Sequence, residues 1–343
     1  KDNVTLRSAS GRRENVVLDG AKSDHGELVG LRRCSGVTIA DLTIQNIKWN
    51  GFKINSDSNV QKVIIHNCII HNIWQRGVKG VKVPLDKLEE YRPKDCIVEY
   101  CLFYNDHAKQ FSDDPADVPT NFNGNYIGGI DIMYAKNWII RHNVFIGIQG
   151  RTREGRGCVF LWHEGEDCLI DGNIILNCDV GIALGNSSGI GEGQSRVHCS
   201  RFTVRNNFIT NTPESGIVAD YTKECRIVNN TIHDPGSRLQ RLIRIVHSNE
   251  GLFAANNVLS GPELQIESTS RLVLKNNLAK ILTPYFADPQ NGNLHWKTIP
   301  PNAAGQAESL PDVPTDIDGE PRGEKPDLGA DEFMETSAVS NGE

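Results

Sequence analysis

Four residues that can take part in acid–base chemistry lie in short, glycine-led, strand-like segments. Lys53, Lys79, Asp131 and His163 occur in the segments GFKIN, GVKGVKV, GIDIMY and GCVFLWHEGED, respectively. An arginine-rich loop, GRTREGRG, leads into the last of these segments. A lysine or histidine base beside lysine or arginine cations can remove a proton from a carbon next to a carboxylate. The residues expected to carry this chemistry are Lys79, Asp131, His163, Arg151 and Arg153.

This chemistry suits the cleavage of a uronate-containing polysaccharide by β-elimination. The base removes the proton next to the uronate carboxylate, a cation neutralises that carboxylate, and the linked sugar leaves. The net charge of −7 disfavours a general nucleic-acid binder, whereas the cations gathered in these segments favour an acidic glycan. Further side chains are expected to bind the polymer, namely Lys53, Lys82, Tyr134, Trp162, Tyr221 and Arg244.

A recurring ten-residue phrase must position these residues. In CLIDGNIILN, which begins at Cys168, two apolar strand-like runs flank a Gly-Asn bend. Eight intervals cover the 235 residues from Leu42 to Asn277, so the mean period is about 29, which is typical of stacked repeats. The column at the bend runs through Leu42, Cys68, Cys101, Asn143, Asn173, Asn207, Asn230, Asn257 and Asn277.

Each bend phrase follows a third strand-like segment, and no helical periodicity lies between them. Three short strands per turn around one apolar interior make a parallel β-helix. Identical positions on successive rungs then stand about 4.8 Å apart. We expect the column asparagines at a tight bend, with a positive φ and with amides that bond to the rungs above and below.

These columns resemble those of the pectate-lyase-like, right-handed parallel β-helix superfamily over roughly residues 1–282. The resemblance implies an all-β, single-stranded right-handed parallel β-helix of about nine to eleven rungs, with three strands per rung and an irregular C-terminal segment. It also implies a substrate groove on the outer face of the third strand. Long loops at 104–128 and 147–157 would flank this groove.

The segment 283–333, which contains PDLGADEF, resembles the C-terminal segment of secreted bacterial β-helix proteins. This resemblance implies a secreted or periplasmic location. We expect the segment to lie over the last rung and to shield its open edge. Residues 334–343 are polar and are expected to form a disordered tail.

Two alternatives to elimination remain open. A glycoside hydrolase needs two carboxyl groups about 5–5.5 Å apart for retention or about 6.5–9.5 Å apart for inversion. Asp131 and Asp220 are three rungs apart, about 14 Å at the strand spacing, but Asp131 and Glu164 are closer and keep hydrolysis open. The other alternative is a non-catalytic carbohydrate-binding or adhesive β-helix. Its exposed aromatic platforms would be Trp49, Trp74, Tyr134, Trp162 and Tyr221.

The candidate residues also have purely structural interpretations. Exposed strand lysines such as Lys53 discourage pairing between sheet edges. Asp131 would pair with Lys79 one rung below in an exposed bridge of little energy, and His163 would pack beside Trp162. Calcium is the only cofactor considered, and no specific metal ligands are predicted. The acidic group that suggests it is Asp113, Asp114 and Asp117, although its spacing matches no EF-hand loop.

The remaining features of the sequence argue against membrane proteins, zinc proteins and disulfide-bonded proteins. No run of eighteen apolar residues is present, so no membrane partner is expected. The nine cysteines lack CxxC spacing, and we interpret them as small buried apolar residues instead of zinc ligands or disulfides. The sequence begins without a charged and apolar leader, so we expect a mature chain. We also expect a monomer.

Overall fold

The computed structural model describes residues 1–187, 196–237 and 239–334. Within these residues the only α-helix is Leu88–Tyr91, and nearly all other regular structure is β-strand. The strands form three long sheets in which neighbouring strands pair in parallel, and successive turns of the chain add one strand to each sheet. The fold is therefore the predicted right-handed parallel β-helix.

The two strands of each bend phrase belong to two different sheets, which we call sheets A and B. Sheet A contains Thr5–Arg7, Thr38–Ala40, Ile64–His66, Ile97–Glu99, Ile139–Arg141, Leu169–Asp171, Thr203–Arg205, Arg226–Val228, Phe253–Ala255 and Val273–Lys275. Sheet B contains Val17–Asp19, Thr43–Ile47, Ile69–Ile73, Leu102–Tyr104, Val144–Ile146, Ile174–Leu176, Phe208–Thr210, Thr231–His233, Val258–Ser260 and Leu278–Ala279.

The third strand-like segments form the remaining long sheet, sheet C. Its path runs through Glu27–Leu31, Asn50–Ile54, Arg76–Gly80, Gly128–Met133, Gly157–Trp162, Val180–Leu184, Ser215–Lys223, Ile243–Glu250 and Gln265–Ser268, with Gly165–Glu166 and Cys199–Ser200 attached beside Ser215–Lys223. Sheets A and B have ten strands each in the described part of the chain. The structure therefore has ten rungs, within the predicted nine to eleven. Short 3-10 turns lie at Ser56–Ser58, Leu85–Lys87, Thr283–Tyr285 and Pro289–Asn291.

A ladder of buried asparagines links the bends between sheets A and B. The backbone N–H of Asn143 donates to Oδ1 of Asn173 at 3.0 Å, and the backbone N–H of Asn173 donates to Oδ1 of Asn207 at 2.9 Å. The side-chain amide of Asn207 donates to Oδ1 of Asn230 at 2.9 Å, and all four asparagines have 0% exposure. The backbone N–H of Cys101 extends the stack by donating to Oδ1 of Asn143. The ladder thus supplies partners for backbone groups that are shielded from water.

The left-handed residue at each bend is the one before the ladder asparagine. His142, Gly172, Asn206 and Asn229 have φ angles of 51°, 63°, 53° and 51°. The expectation of a positive φ at the asparagines themselves is therefore wrong. The preceding residue makes the turn, and the asparagine is left to direct its side chain into the stack.

The interior of the coil is filled by inward apolar columns, mainly isoleucine and valine. Ile65, Ile140 and Ile170 of sheet A each have 0% exposure. All nine cysteines are buried and free, in agreement with their interpretation as small apolar residues. None of the described helices combines the length and the apolar character that crossing a bilayer requires.

The C-terminal segment lies along the side of the coil. It starts with an antiparallel hairpin, Phe286–Asp288 with Asn293–Trp296, and then passes beside earlier rungs. The N–H of Ala330 donates to Oγ1 of Thr231 in sheet B at 2.9 Å. The segment also reaches the last rung, where Nζ of Lys275 lies 3.2 Å from Oε2 of Glu308. It therefore packs beside the last rungs, and the shielding of the open edge stays a prediction.

Outward-facing apolar residues on sheet B explain this position. Phe208 and Val258 point outward from their strands and form an apolar cluster with Leu294 and Leu328 of the C-terminal segment. At the last rung, Leu274 stays 41% exposed. Met334 is exposed, and the rest of the predicted tail, residues 335–343, lies outside the described residues.

Replacing Asn207 by alanine should lower the free energy of unfolding by about 2–3 kcal/mol, because buried backbone and amide groups lose their partners. Urea unfolding followed by circular dichroism measures this change. Asn121→Ala is the matched control, since Asn121 is exposed and its replacement should change stability by less than about 0.5 kcal/mol. Equal losses in both variants would contradict a stabilising role for the ladder.

Candidate active site

The outward positions of sheet C form the face that the sequence predicts to carry chemistry. Lys53 pairs in register with Lys79, Lys79 with Asp131, and Asp131 with Phe160 on the next rung. Val78, next to Lys79, points inward with 0% exposure. The predicted alternation of inward and outward residues is therefore confirmed on these rungs.

A groove continues up this face from Asp131. Its floor is formed by Phe160, Ala183 and Val218, the outward residues of three successive strands. The loop before Gly157–Trp162 and the residues that precede the upper strands form its sides. Charged residues in its walls are Glu154, Arg156, Glu214 and Arg244.

Asp131 is the centre of a buried ion cluster at the lower end of the groove. Its Oδ2 accepts hydrogen bonds from Arg76 Nε at 2.7 Å and Lys79 Nζ at 2.8 Å, and its Oδ1 accepts one from Trp162 Nε1 at 3.0 Å. Asp131 and Arg76 are each 1% exposed. The expectation of an exposed bridge between Lys79 and Asp131 is therefore wrong.

The cluster fixes the protonation state of Asp131. Burial alone would favour the neutral acid, but the charges of Lys79 and Arg76 and their hydrogen bonds outweigh burial and lower the pKa of Asp131 to about 2. A carboxylate that stays ionised near neutral pH cannot act as the general acid of a glycosidase. In a pair of Asp131 with Glu164, Asp131 would therefore be the ionised partner, and Glu164 would have to be the acid.

Arg76 is a member of the site that the sequence reasoning did not identify. It begins the strand Arg76–Gly80, and its guanidinium lies 4.0 Å from the centre of the Tyr126 ring. The columns of equivalent residues run through the middle of each strand, whereas Arg76 is the first residue of its strand. The available signal was the pair of cations in RGVK, one rung below the aspartate of GIDIMY.

The three arginines of the GRTREGRG loop have different environments. Nε of Arg151 donates to the carbonyl oxygen of Asn123 at 3.0 Å, so Arg151 ties two loops together. Nε of Arg153 lies 3.4 Å from Oδ1 of Asp179. Arg156 is half-buried in the groove wall, and its side chain has no hydrogen bond or ion pair with any described residue. The catalytic roles predicted for Arg151 and Arg153 stay predictions.

His163 lies one rung above Asp131, as predicted, but outside the Asp131 column. The register places Phe160 beside Asp131, and His163 follows three residues later, at the corner after the strand. Lys79, Asp131 and His163 surround the lower end of the groove from different sides.

The imidazole of His163 is tightly packed. Its ring centre lies 3.9 Å from that of Trp162 and 5.5 Å from that of Tyr134. Burial, together with the charges of His198 and Lys82, lowers the pKa of His163 to about 4. His163 is thus neutral near pH 7, with only 8% of its surface exposed.

Two of the aromatic residues expected to be exposed sugar platforms are buried. Tyr134 has 0% exposure and Trp74 has 8%. Tyr134 has a φ of 59°, and Tyr221, at the same corner of a higher rung, has 54°. This left-handed conformation breaks the strand alternation and turns the side chain against its neighbours. Trp162 and Tyr221 are half-buried, and Trp49 is exposed.

The other cations predicted to bind substrate differ in their pairing. Nζ of Lys53 lies 2.5 Å from Oε1 of Glu27. Arg244 donates two hydrogen bonds to Glu267, at 2.8 and 2.9 Å. Lys82 is exposed and forms no ion pair with a described residue. Their roles in substrate binding stay predictions.

The acidic group considered for calcium already contains a cation. Nζ of Lys109 donates to Oδ2 of Asp114 and to Oδ2 of Asp117, both at 2.9 Å, and all three residues are buried. Oδ2 of Asp113 accepts the backbone N–H of Gln110 at 2.7 Å. The lysine ammonium stands where calcium would bind, so this group supports no calcium site.

Replacing Asp131 by asparagine should lower the free energy of unfolding at neutral pH by about 3–5 kcal/mol, because two buried cations lose their counter-ion. The folded pKa of Asp131, about 2, lies below the unfolded value of about 3.9. Its contribution is therefore present above about pH 4 and is lost as the pH falls through about 2, a change of roughly 2–3 kcal/mol.

Urea unfolding of the wild type and of Asp131→Asn between neutral pH and about pH 2 tests this expectation. The difference between the two proteins should shrink towards the acid end. Asp24→Asn, at an exposed position, is the control and should show no such change. A difference that is constant with pH would contradict the role assigned to the Asp131 charge.

The sequence and the structure both match known proteins. Residues 94–259 match the family described as "Right handed beta helix region", and no protein of curated function matches the sequence. The pectate lyase Pel9A has a TM-score of 0.61 at 10% identity, with 96% of this chain and 80% of that chain covered. The surface adhesin PfbA of Streptococcus pneumoniae has a TM-score of 0.55 at 13% identity, with coverages of 81% and 68%.

A solved glycoside hydrolase is also similar, with a TM-score of 0.52 at 12% identity. The match covers 74% of this chain and 50% of the hydrolase, so the chain spans half the length of that protein. Identities this low support the shared fold and no particular reaction. The family match covers just under half of the chain, and together with the three parallel sheets it supports the right-handed parallel β-helix as the fold of this chain.

Proposed function

We propose that this chain cleaves an acidic, uronate-containing polysaccharide by β-elimination in the groove of sheet C. The observation that carries the proposal is Arg156, a half-buried guanidinium in the groove wall without an anionic partner among the described residues. Shielding a cation from water without giving it an anionic partner raises the free energy of the folded protein. A bound carboxylate removes this cost, and every uronate unit of such a polymer offers one.

The charges around Arg156 favour an anion over a neutral sugar. Arg76 and Lys79 share the single carboxylate of Asp131 at the lower end of the groove. Burial and the charge of Arg76 lower the pKa of Arg156, as expected for a cation whose neighbourhood is already positive. Glu154 and Glu214 also line the groove, so the excess of cations is confined to its lower end, where Arg76, Lys79 and Arg156 stand near the carboxylate of Asp131, although the whole chain has a net charge of −7.

The floor of the groove suits the apolar face of a sugar ring. Phe160 gives the floor an apolar base and stacks on Trp162, Ala183 is small enough to leave space above the sheet, and Val218 continues the apolar surface. Uncharged floor residues between charged walls allow a polymer to lie along the groove with its carboxylates turned to the arginines.

The proposed reaction needs a proton acceptor and no covalent intermediate. The neutral imidazole of a histidine takes the proton from the carbon next to the uronate carboxylate. The electron pair of the broken C–H bond forms a carbon–carbon double bond. The bond from the neighbouring carbon to the linking oxygen breaks, and the leaving oxygen takes a proton from water. Arginine bound to the carboxylate stabilises the negative charge that develops there.

The similarity to Pel9A, which is named as a pectate lyase, agrees with a carbohydrate-active β-helix that cleaves acidic glycans. The similarity to an adhesin agrees equally with a protein that only binds. Action on such a polymer also fits a secreted or periplasmic monomer, which we propose on the same basis.

Hydrolysis is the second candidate reaction, with a different pair of carboxylates from the one predicted. Glu154 and Glu214 both line the groove and stand in loops before two different strands. A glycosidase needs two carboxyl groups on opposite sides of the scissile bond. This candidate predicts new reducing ends without an unsaturated product.

Incubating the protein with a panel of uronate polymers should produce near-ultraviolet absorbance, because elimination leaves a double bond conjugated to the carboxylate. Arg156→Ala should lower kcat/KM on the best polymer by about 10- to 100-fold, the effect of losing one charge-assisted hydrogen-bonding group. Arg12→Ala is the matched control, since Arg12 is exposed near the first rung.

Each outcome separates the candidates. Reducing ends without absorbance would favour hydrolysis, and binding without either product would favour a binding protein. Equal activity of Arg156→Ala and Arg12→Ala would contradict the role of Arg156 even if elimination is found.

A further inference from the structure

A buried aspartate holds an exposed histidine at the upper end of the groove. Nδ1 of His247 lies 2.7 Å from Oδ1 of Asp220, with 0% of the Asp220 side chain and 44% of the His247 side chain exposed. Asp220 follows the groove-floor residue Val218 by two positions in the strand Ser215–Lys223, so both point to the same face of sheet C. The pair therefore stands at the edge of the groove.

The orientation of the His247 ring is fixed from two directions. Asp220 accepts the hydrogen bond from Nδ1, which assigns the proton of the neutral ring to that nitrogen. The ring also stacks on Tyr221, with centres 4.8 Å apart and planes 6° apart. The lone pair of Nε2 is left without a partner among the described residues and is available to a substrate.

The charged groups around His247 leave Asp220 as its main electrostatic partner. Arg244 and Glu267 are also close, but they neutralise each other through two hydrogen bonds. Tyr221 is the remaining titratable neighbour. Oδ2 of Asp220 is buried without a hydrogen bond to a described residue, so His247 is the side chain that bonds this carboxylate.

Two of the bases predicted from the sequence are poorly placed by comparison. The side-chain nitrogen of Lys79 is bonded to Asp131 at 2.8 Å, so it is not free to face a substrate. The ring of His163 is almost fully covered. His247 has both the exposure and the supporting carboxylate that a general base needs.

We propose that His247 is the general base of the groove and that Asp220 is its positioning residue. This inference rests on the proposed function. Nε2 of His247 takes the proton next to the uronate carboxylate, the double bond forms as the bond to the linking oxygen breaks, and water protonates that oxygen. Asp220 stabilises the imidazolium, which then returns its proton to water.

Arg244 lies at this end of the groove but is already paired. It precedes His247 by three residues on the same strand and lines the groove, and Glu267 accepts two of its hydrogen bonds. Arg156, which has no anionic partner among the described residues, leads into a strand three rungs lower, about 14 Å away at the strand spacing. A uronate bound to Arg156 therefore belongs to a different sugar from the one that His247 deprotonates.

His247→Gln and Asp220→Asn test this inference on the polymer that the wild type cleaves best. His247→Gln should lower kcat by about 100-fold or more, with KM changed by less than about 3-fold. Asp220→Asn should move the acidic limb of the kcat/KM profile to lower pH, because the protonated base loses the anion beside it.

His71→Gln is the matched control. His71 bonds Asp106 at 2.9 Å on sheet B, outside the groove, and its replacement should leave kcat unchanged. Full activity of His247→Gln would overturn the role of His247 while leaving elimination in place. An unmoved acidic limb in Asp220→Asn would overturn the role of Asp220. A wild type that forms no unsaturated product from any uronate polymer would instead contradict the proposed function, and the base with it.

Discussion

Backbone hydrogen bonding between successive rungs is the constraint on which the rest of this structure depends. Each strand must pair with the strands above and below it, so register, not loop length, decides which side chains become neighbours. The loop between Leu102–Tyr104 and Gly128–Met133 is long, yet Asp131 still pairs with Lys79 one rung below. Insertions therefore build the groove walls without moving its floor.

This fixed register explains why charge accumulates on one face. Lys79 and Asp131 are stacked by the backbone, and burial of the pair is tolerated because Arg76 and Trp162 satisfy the remaining lone pairs of the carboxylate. The cluster retains a net positive charge because two cations share one anion. Arg156, added by a loop, has no anionic partner among the residues that the structure describes, and this deficit is what supports the proposed preference for anions.

The sequence predicts the features that follow the repeat, and misses those that depend on local backbone geometry. The period, the rung count and the outward positions of Lys53, Lys79 and Asp131 all follow from columns of equivalent residues. The burial of Tyr134 does not, because a positive φ interrupts strand alternation where no glycine signals it. The Lys109 cluster is equally hidden, since its three charged residues lie in a loop without a periodic pattern.

The same left-handed corner conformation buries aromatic rings on the lower rungs and leaves the ring of His247 accessible on an upper rung. After sheet C, rings follow one another from Tyr134 to His163, His198, Tyr221 and His247, with successive centres 4.8–5.7 Å apart. Rings in the middle of this stack have neighbours above and below, which is why His163 is buried and its pKa is low. His247 is the last ring of this stack among the described residues, and 44% of its side chain is exposed. Its exposure is thus a consequence of where the stack ends, and the carboxylate of Asp220 orients the exposed ring that we propose as the base.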